Sequence, residues 1–339
     1  MLVLMADDLT GTLDAAAPFA SRGFHVEVAL SIEAVGPAAS EKPHVLALNL
    51  ASREIGADAA RERTAAALAA LPPASSLFKK VDSRLKGNIA AELDAMRYRC
   101  ALVAPAIPDF GRVVLDGHVQ GLGVDVPISV AGRLGAHAAR AVVPDTPTRG
   151  AMEEVLDIPG VDLLIGARGL ADALAARMSG GRTPGLAAIP QGRGLFVIGS
   201  RDPITLAQID ALRAAGDVRY LPAPNGVLGD AQPDESPLTL VQAVPGAVEA
   251  SGYMVSQALS ESVCPALTEG ASTLLLSGGA TAEAVLAKMG ITRFRLVGEC
   301  LPGLGLAHVQ GHCIIAKSGG FGGPETLRQI ADTILRKTG

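Results

Sequence analysis

Short apolar runs alternate along the chain with segments whose apolar residues recur at helical spacing. Leu2–Ala6, Val26–Ser31, His44–Leu50, Leu77–Val81 and Ala101–Ala106 are unbroken enough to predict buried strands. Between them a helix is predicted from the Asp7-Asp8-Leu9-Thr10-Gly11 turn to about Ser21, with Thr10 as cap and Asp14 in its first turn. A second, Ala57–Leu71, is stopped by Pro72-Pro73. A third carries Ile89, Leu93 and Met96 at i, i+4, i+7. The β-α-β-α-β order predicts parallel strands covered on both faces by helices. From Pro108 to Pro127 the pattern breaks into a Gly- and Pro-bearing stretch, expected as a loop. Ala141–Val143 and Leu163–Ile165 read as strands, and Leu170–Met178 as a helix.

Ser179–Gly194 holds five Gly and two Pro with little periodicity. A linker is expected there, about 183–194, between an N-terminal domain (1–182) and a C-terminal domain (195–339). Beyond it the pattern restarts. Strands are predicted at Leu195–Ile198, Val218–Leu221, Leu238–Val244, Thr273–Leu276, Phe294–Val297 and Cys313–Ala316. One helix opens with Asp202 as N-cap and Pro203 at its first position. Others span Val248–Glu261, Ala282 to Met289, and Pro324 to Lys337, the last with Glu325 in its first turn and Arg336 and Lys337 in its last. The fold class is therefore α/β: two domains, each a mostly parallel sheet covered by helices.

A length of 339 residues suits two cores. A net charge of −5 speaks against a general nucleic-acid binder, and no apolar stretch has the length of a membrane span. Cys100, Cys264, Cys300 and Cys313 form no C-x-x-C pair, so reduced thiols and a cytoplasmic setting are expected. His308, His312 and Cys313 sit close in sequence, but Gly311 puts them on a loop and a strand rather than one helix face, and no metal site of the protein's own is expected. A homodimer is one assembly open to the chain.

The polar residues gather where predicted strands end, which is where open α/β sheets bind ligands. In the first half these are Asp7 and Asp8, then Ser52 and Arg53, then Asp82, Ser83, Arg84, Lys86, Gly87 and Asn88. Carboxylates beside Arg and Lys suit a small hydroxy acid: the cations hold its carboxylate, and an aspartate orients or deprotonates its hydroxyl. The blander reading of the third cluster is a solvated turn with Asn88 as a helix N-cap. In the second half, Gly199-Ser200, Ser277-Gly278-Gly279-Ala280-Thr281 and Lys317-Ser318-Gly319-Gly320 follow strands. Successive backbone N–H groups at a helix start cradle phosphates. Neither the G-x-x-x-x-G-K-[ST] loop nor a strand-borne G-x-G-x-x-G occurs, which excludes a P-loop and counts against a dinucleotide enzyme. Glu299, with Pro302-Gly303, is expected to mark a turn bordering the nucleotide.

Taken as a set, these segments resemble the four-carbon acid sugar kinase family over nearly the whole chain and in the right order. Ala6-Asp7-Asp8-Leu9-Thr10-Gly11 resembles its opening motif and Ser52-Arg53 its second. Lys80-Val81-Asp82-Ser83-Arg84-Leu85-Lys86-Gly87-Asn88 resembles its Lys-x-Asp-Ser-x-x-Arg-Gly-Asn segment, with Lys86 where Arg is usual. Gly111-Arg112, Gly199-Ser200, Thr205, Gln208, Gly278-Gly279, Gly298-Glu299, Pro302-Gly303 and Lys317 to Gly322 continue the match. Ala280 stands where the family usually carries an acidic residue, and Arg201-Asp202 where small residues are common. The resemblance implies an ATP- and Mg²⁺-dependent kinase of the terminal hydroxyl of a C4 acid such as threonate, erythronate or 3-oxo-tetronate, with its active site in the interdomain cleft. It places the acid on Asp7, Arg53 and Asp82 to Asn88. From the chemistry of the same residues, the catalytic candidates are Asp8 or Asp82 to position the hydroxyl and Arg84 to hold the acid or the transferring phosphoryl group. The resemblance places ATP on Ser200, Gly278, Gly279, Ala280, Thr281, Gly319 and Gly320; Glu299, Gly303 and Lys317, read from their own turns, are expected beside the nucleotide as well. A sensor that binds these ligands without turnover, motivated by Ala280, and an unrelated sugar-acid enzyme are the competing readings.

Overall fold

The computed structural model describes residues 1–73, 75–216, 218–229 and 234–335. They divide into two compact units, Met1–Gly185 and Leu186–Gly339.

In the first unit the strands are β1 (Leu2–Ala6), β2 (Val26–Ala29), β3 (Val45–Asn49), β4 (Ser76–Lys80), β5 (Ala101–Ala104), β6 (Arg112–Leu115), β7 (His118–Gly121), β8 (Val124–Ser129), β9 (Ala141–Val142) and β10 (Leu163–Gly166). The helices are α1 (Leu9–Ala20), α2 (Val35–Ser40), α3 (Ala57–Ala70), α4 (Ile89–Asp94), α5 (Val130–Leu134), α6 (Arg149–Glu154) and α7 (Arg168–Met178). Seven strands pair in the order β2-β3-β1-β4-β10-β5-β9, and every pairing is parallel. β1, β2 and β3 are buried at every position, because helices cover both faces and no residue can be polar cheaply. β3 and β4 flank β1 on opposite sides, so the chain reverses its direction of travel at β1. The carboxyl ends of these three strands lie side by side at that switch point.

The expected loop from Pro108 to Pro127 is instead an antiparallel ribbon, β6-β7-β8. Its residues are mostly half-buried or exposed, so no continuous apolar run marks it. The cap of α1 is Asp8, not Thr10: its Oδ1 accepts from Gly11 N at 2.8 Å, and Thr10 donates to its Oδ2 at 2.9 Å. With the helix beginning at Leu9, Asp14 falls beyond the first turn.

The second unit contains β11 (Gly194–Ile198), β12 (Arg219–Pro224), β13 (Leu238–Val244), β14 (Thr273–Ser277), β15 (Arg293–Leu301), β16 (Leu304–Val309) and β17 (His312–Lys317), with helices α8 (Pro203–Ala214), α9 (Gly252–Val263), α10 (Gly279–Lys288) and α11 (Thr326–Leu335). Strands β12-β13-β11-β14-β17 are parallel, and β16 and β15 extend that sheet in antiparallel fashion. Ile209 and Leu212 of α8 and Ile330 and Ile334 of α11 pack with Phe196 and Ile315 from the sheet in one core. β16 was not expected, since its residues follow Pro302-Gly303 and read as part of a turn. It makes Glu299 a residue of β15 rather than of the turn after it. α9 begins at Gly252, capped by Ser251, not at Val248. Glu325 precedes α11 and pairs with Arg328, while Arg336 and Lys337 lie outside the described residues.

Candidate functional site

At the switch point of the first unit, β1 delivers Asp7 and Asp8, β3 delivers Ser52 and Arg53, and β4 delivers Asp82 to Asn88. Arg53 grips Asp7 in a two-pronged pair, Nε to Oδ2 and Nη2 to Oδ1, both 2.8 Å, and its Nη1 reaches Asp8 Oδ2 at 2.6 Å. Burial alone would raise the Asp7 pKa, but the Arg53 hydrogen bond and the charges of Lys79, Lys80 and Arg53 outweigh it and hold the carboxyl below its usual range. Burial wins at Asp8, whose pKa is raised, with the Asp7 charge adding to the effect. Both aspartates are thus committed to Arg53, and Asp8 also to the start of α1.

Asp82 differs. Its Oδ1 accepts from Arg84 N at 2.9 Å, closing the turn, and among the described residues its Oδ2 has no partner. The Arg84 guanidinium and the exposed Lys86 ammonium are likewise unpaired among the described residues. Arg112, on the unexpected ribbon, donates from Nη1 to Ser83 Oγ at 2.6 Å and from Nε and Nη2 to Leu122 O. Burial and the neighbouring Arg84 charge both depress its pKa. Two guanidiniums that repel each other, with no carboxylate bonded to either among the described residues, make a local excess of positive charge that an anion would relieve.

Asn88 does not cap α4 with its side chain. Its Nδ2 donates to Ser52 O and Ile55 O, both at 2.8 Å, tying the β4 turn to the β3 turn. Beneath them, Lys79 Nζ lies 2.7 Å from Glu92 Oε2, and Ser52 Oγ donates to Glu92 Oε1, all fully or almost fully buried. Sequence reasoning passed over this group, since Lys79 and Glu92 look like ordinary solvated charges. Lys80, in the same motif, also faces this group. It is 4 % exposed at the end of β4, with its Nζ 3.9 Å from Asp14 Oδ2.

Gly87 has φ +90°, and a Cβ there would stand 2.6 Å from Asp7 Oδ2. Gly87→Ala should therefore push Asp7 off Arg53 and cost about 1–3 kcal/mol of stability. Chemical denaturation would show the loss, and an unchanged midpoint would mean that the turn relaxes freely.

In the second unit, the ends of β11, β14 and β17 lie in adjacent register. Gly199 N donates to Ser277 O and Gly278 N to Lys317 O, both 3.0 Å, so the three turns form one floor. Gly278 needs its φ of +104°, and a Cβ added there would stand 3.4 Å from Ser200 N. The Ser277 hydroxyl at the base of this turn is fully buried and has no hydrogen-bond partner among the described residues. A cavity of ≈ 340 Å³ lies elsewhere in the unit; the one at the turns measures ≈ 330 Å³. The latter is lined by Gly199, Arg201 and the turn from Gly278 to Thr281 on one side, and by Ala250 and the start of α9 on the other. It falls in the size range of small-molecule sites.

Lys317 does not point outward as a free cation. Fully buried, it donates to Thr205 Oγ1 (2.9 Å), Ser318 O (3.1 Å) and Gly319 O (3.2 Å). Thr205 donates onward to Gly319 O, and Gln208 Nε2 to Phe321 O and Gly323 O. Together they lash the Ser318–Gly323 segment to α8. Glu299 Oε1 accepts from Gly303 N at 3.1 Å and so holds the β15–β16 turn. Desolvation lowers the Lys317 pKa to about 8 from 10.5. The unfolded chain binds the extra proton between these values, so this group makes stability rise with pH from about 8 to 10.5. The stability of the wild type relative to Lys317→Met should increase across that window, as urea midpoints will show; a flat difference would exclude a depressed pKa.

A model described as "Sugar-binding N-terminal domain" matches residues 2–133, and one described as "Nucleotide-binding C-terminal domain" matches residues 230–327. A D-threonate kinase of Cupriavidus necator is 28% identical over 96% of this chain and 96% of its own length. A 3-oxo-tetronate kinase of Methylobacterium radiotolerans is 27% identical over 97% and 98%. A crystal structure from Salmonella typhimurium LT2 shares the fold, with a TM-score of 0.75 at 19% identity over 97% of this chain and 98% of that one. With both domain types in the order the motifs require, and full-length relatives that are kinases, this chain belongs to the four-carbon acid sugar kinase family.

Proposed function

We propose that this protein transfers the γ-phosphoryl group of ATP to the terminal hydroxyl of a four-carbon sugar acid of the threonate, erythronate or 3-oxo-tetronate type. The observation that carries the reading is the Asp82–Arg84–Arg112 group: one carboxylate with an uncommitted oxygen beside two guanidiniums without a bonded carboxylate of their own. Arg84, Arg112 and Lys86 bind the anionic acid or the transferring phosphoryl group. Asp82 Oδ2 accepts the hydroxyl proton as the substrate oxygen bonds to the γ-phosphorus and the bond to the β-phosphate oxygen breaks. Arg53, already neutralised by Asp7 and Asp8, shapes the wall of this pocket rather than supplying its charge.

The glycine turns of the second unit cradle the triphosphate. Asp202 fits a nucleotide-borne Mg²⁺: its Oδ1 caps α8 by accepting from Ile204 N at 2.9 Å, while its Oδ2 lies 3.5 Å from where a Cβ on Gly320 would stand. Bound there, the ion would neutralise phosphate charge. Transfer requires the phosphate held by one unit to reach the hydroxyl held by the other, and exclusion of water at that moment suppresses ATP hydrolysis.

A panel of C4 acids with ATP, read by detection of the phosphorylated product, tests the reading. Phosphorylation of at least one such acid is expected. Binding of both ligands without any product would favour a sensor instead.

A further inference from the structure

Lys80, at the end of β4, carries a buried ammonium that the fold leaves unfilled. Among the described residues its Nζ makes no hydrogen bond, and the carboxylate oxygen it approaches, Asp14 Oδ2, stands off at 3.9 Å. Asp14 is largely buried as well. Its Oδ1 accepts from Arg168 Nη1 at 3.3 Å, but its Oδ2 takes no hydrogen bond among the described residues. A donor and an acceptor kept from water and left unpaired cost the fold their hydration. The other carboxylates that feel the Lys80 charge, Asp7 and Asp8, are held by Arg53. Gly11, on the same face of α1 as Asp14, leaves room beside the ammonium: a Cβ there would stand 3.2 Å from Lys80 Nζ. The 3.9 Å gap is too long for a direct hydrogen bond and right for one intervening oxygen, since two legs of about 2.8 Å meet across it at roughly 90°. A hydroxyl suits that gap because it accepts from Nζ and donates to Oδ2 at once. An anionic oxygen would be set against the Asp14 charge.

Resting on the kinase reading above, we infer that Lys80 and Asp14 together bind a hydroxyl of the sugar acid other than the one phosphorylated, and so select acids that carry it. The anionic end of the acid stays with Arg84, Arg112 and Lys86. A site built to hydrogen-bond a hydroxyl rejects the analogue lacking it by up to about 10⁴–10⁵-fold, whereas a pocket that only fits its shape discriminates by about 10–200-fold.

The test is calorimetric titration of the full chain, without nucleotide, with threonate and erythronate and with their 2-deoxy and 3-deoxy analogues, 3,4-dihydroxybutanoate and 2,4-dihydroxybutanoate. The protein should bind a tetronate at least about 100-fold more tightly than one of the two analogues. In Lys80→Met that gap should shrink below about tenfold, because tetronate affinity falls while affinity for that analogue hardly changes. Asp14→Asn keeps an oxygen for Arg168 and turns the other position into a donor, so it should narrow the gap likewise; it also carries the test if Lys80→Met does not fold. A smaller gap in the wild type, or failure to bind either tetronate, overturns the inference. So does a gap that persists in a folded variant because all ligands weaken alike, which is the result if water alone fills the space between the two groups. Phosphorylation of a C4 acid with the gap unchanged in the variants sinks this inference alone. A gap closed by Lys80→Met, with no acid phosphorylated by the wild type, sinks the kinase reading alone.

Discussion

Asp82→Asn should lower kcat/KM for the sugar acid by about 10²–10⁴-fold while nucleotide affinity stays unchanged. The change is nearly isosteric. Asparagine keeps the Oδ1 that accepts from Arg84 N, so the turn that carries Ser83 and Arg84 should hold its shape. What disappears is the negative charge and the uncommitted Oδ2, the two properties on which hydroxyl activation depends. Steady-state kinetics with the acid, alongside nucleotide titration, separates the two effects. A variant with full turnover would remove Asp82 from the chemistry and return attention to Asp8.

Arg53→Ala should produce the other large effect, by a different route. It strands two largely buried carboxylates beside one another, and breaking a buried pair by removing one partner costs about 3–5 kcal/mol. Part of that cost will be escaped by protonation, for which Asp8 is already biased. The expected outcome is a stability loss of about 3 kcal/mol, together with loss of turnover, because the Asp7–Gly87 contact that shapes the β4 turn loses its anchor. Nucleotide should still bind. Arg53→Lys should recover little, since an ammonium cannot reproduce the two-pronged geometry. Destabilisation with kcat/KM unchanged would show that the Arg53–Asp7–Asp8 triad supports the fold without shaping the site.

The parallel strands were legible because burial on both faces forces continuous apolar runs: Leu2–Ala6 and Thr273–Ser277 hardly admit another reading. The turns after them were legible as polar clusters at strand ends, and their motifs could be matched segment by segment. The pairing within those clusters could not be read. Arg53 and Asp7 stand 46 residues apart, and nothing local says that a conspicuous arginine will be neutralised from the end of the neighbouring strand. The same holds for Lys317, which looks like a free cation until Thr205 and two carbonyls close round it. The β6-β7-β8 ribbon escaped notice because half-exposed strands lack the apolar signature and its glycines and prolines read as loop. With the ribbon went Arg112, whose place in the Gly111-Arg112 motif says nothing local about what it faces.

That ribbon has an evolutionary consequence. It pairs with itself rather than with the seven-stranded sheet, yet it carries one of the two guanidiniums set against Asp82. Residues around Arg112 can therefore drift, lengthen or exchange without disturbing any strand of the main sheet. A lineage could retune which acid it accepts by editing one appended ribbon, while the machinery that folds the domain and positions Asp82 is inherited intact.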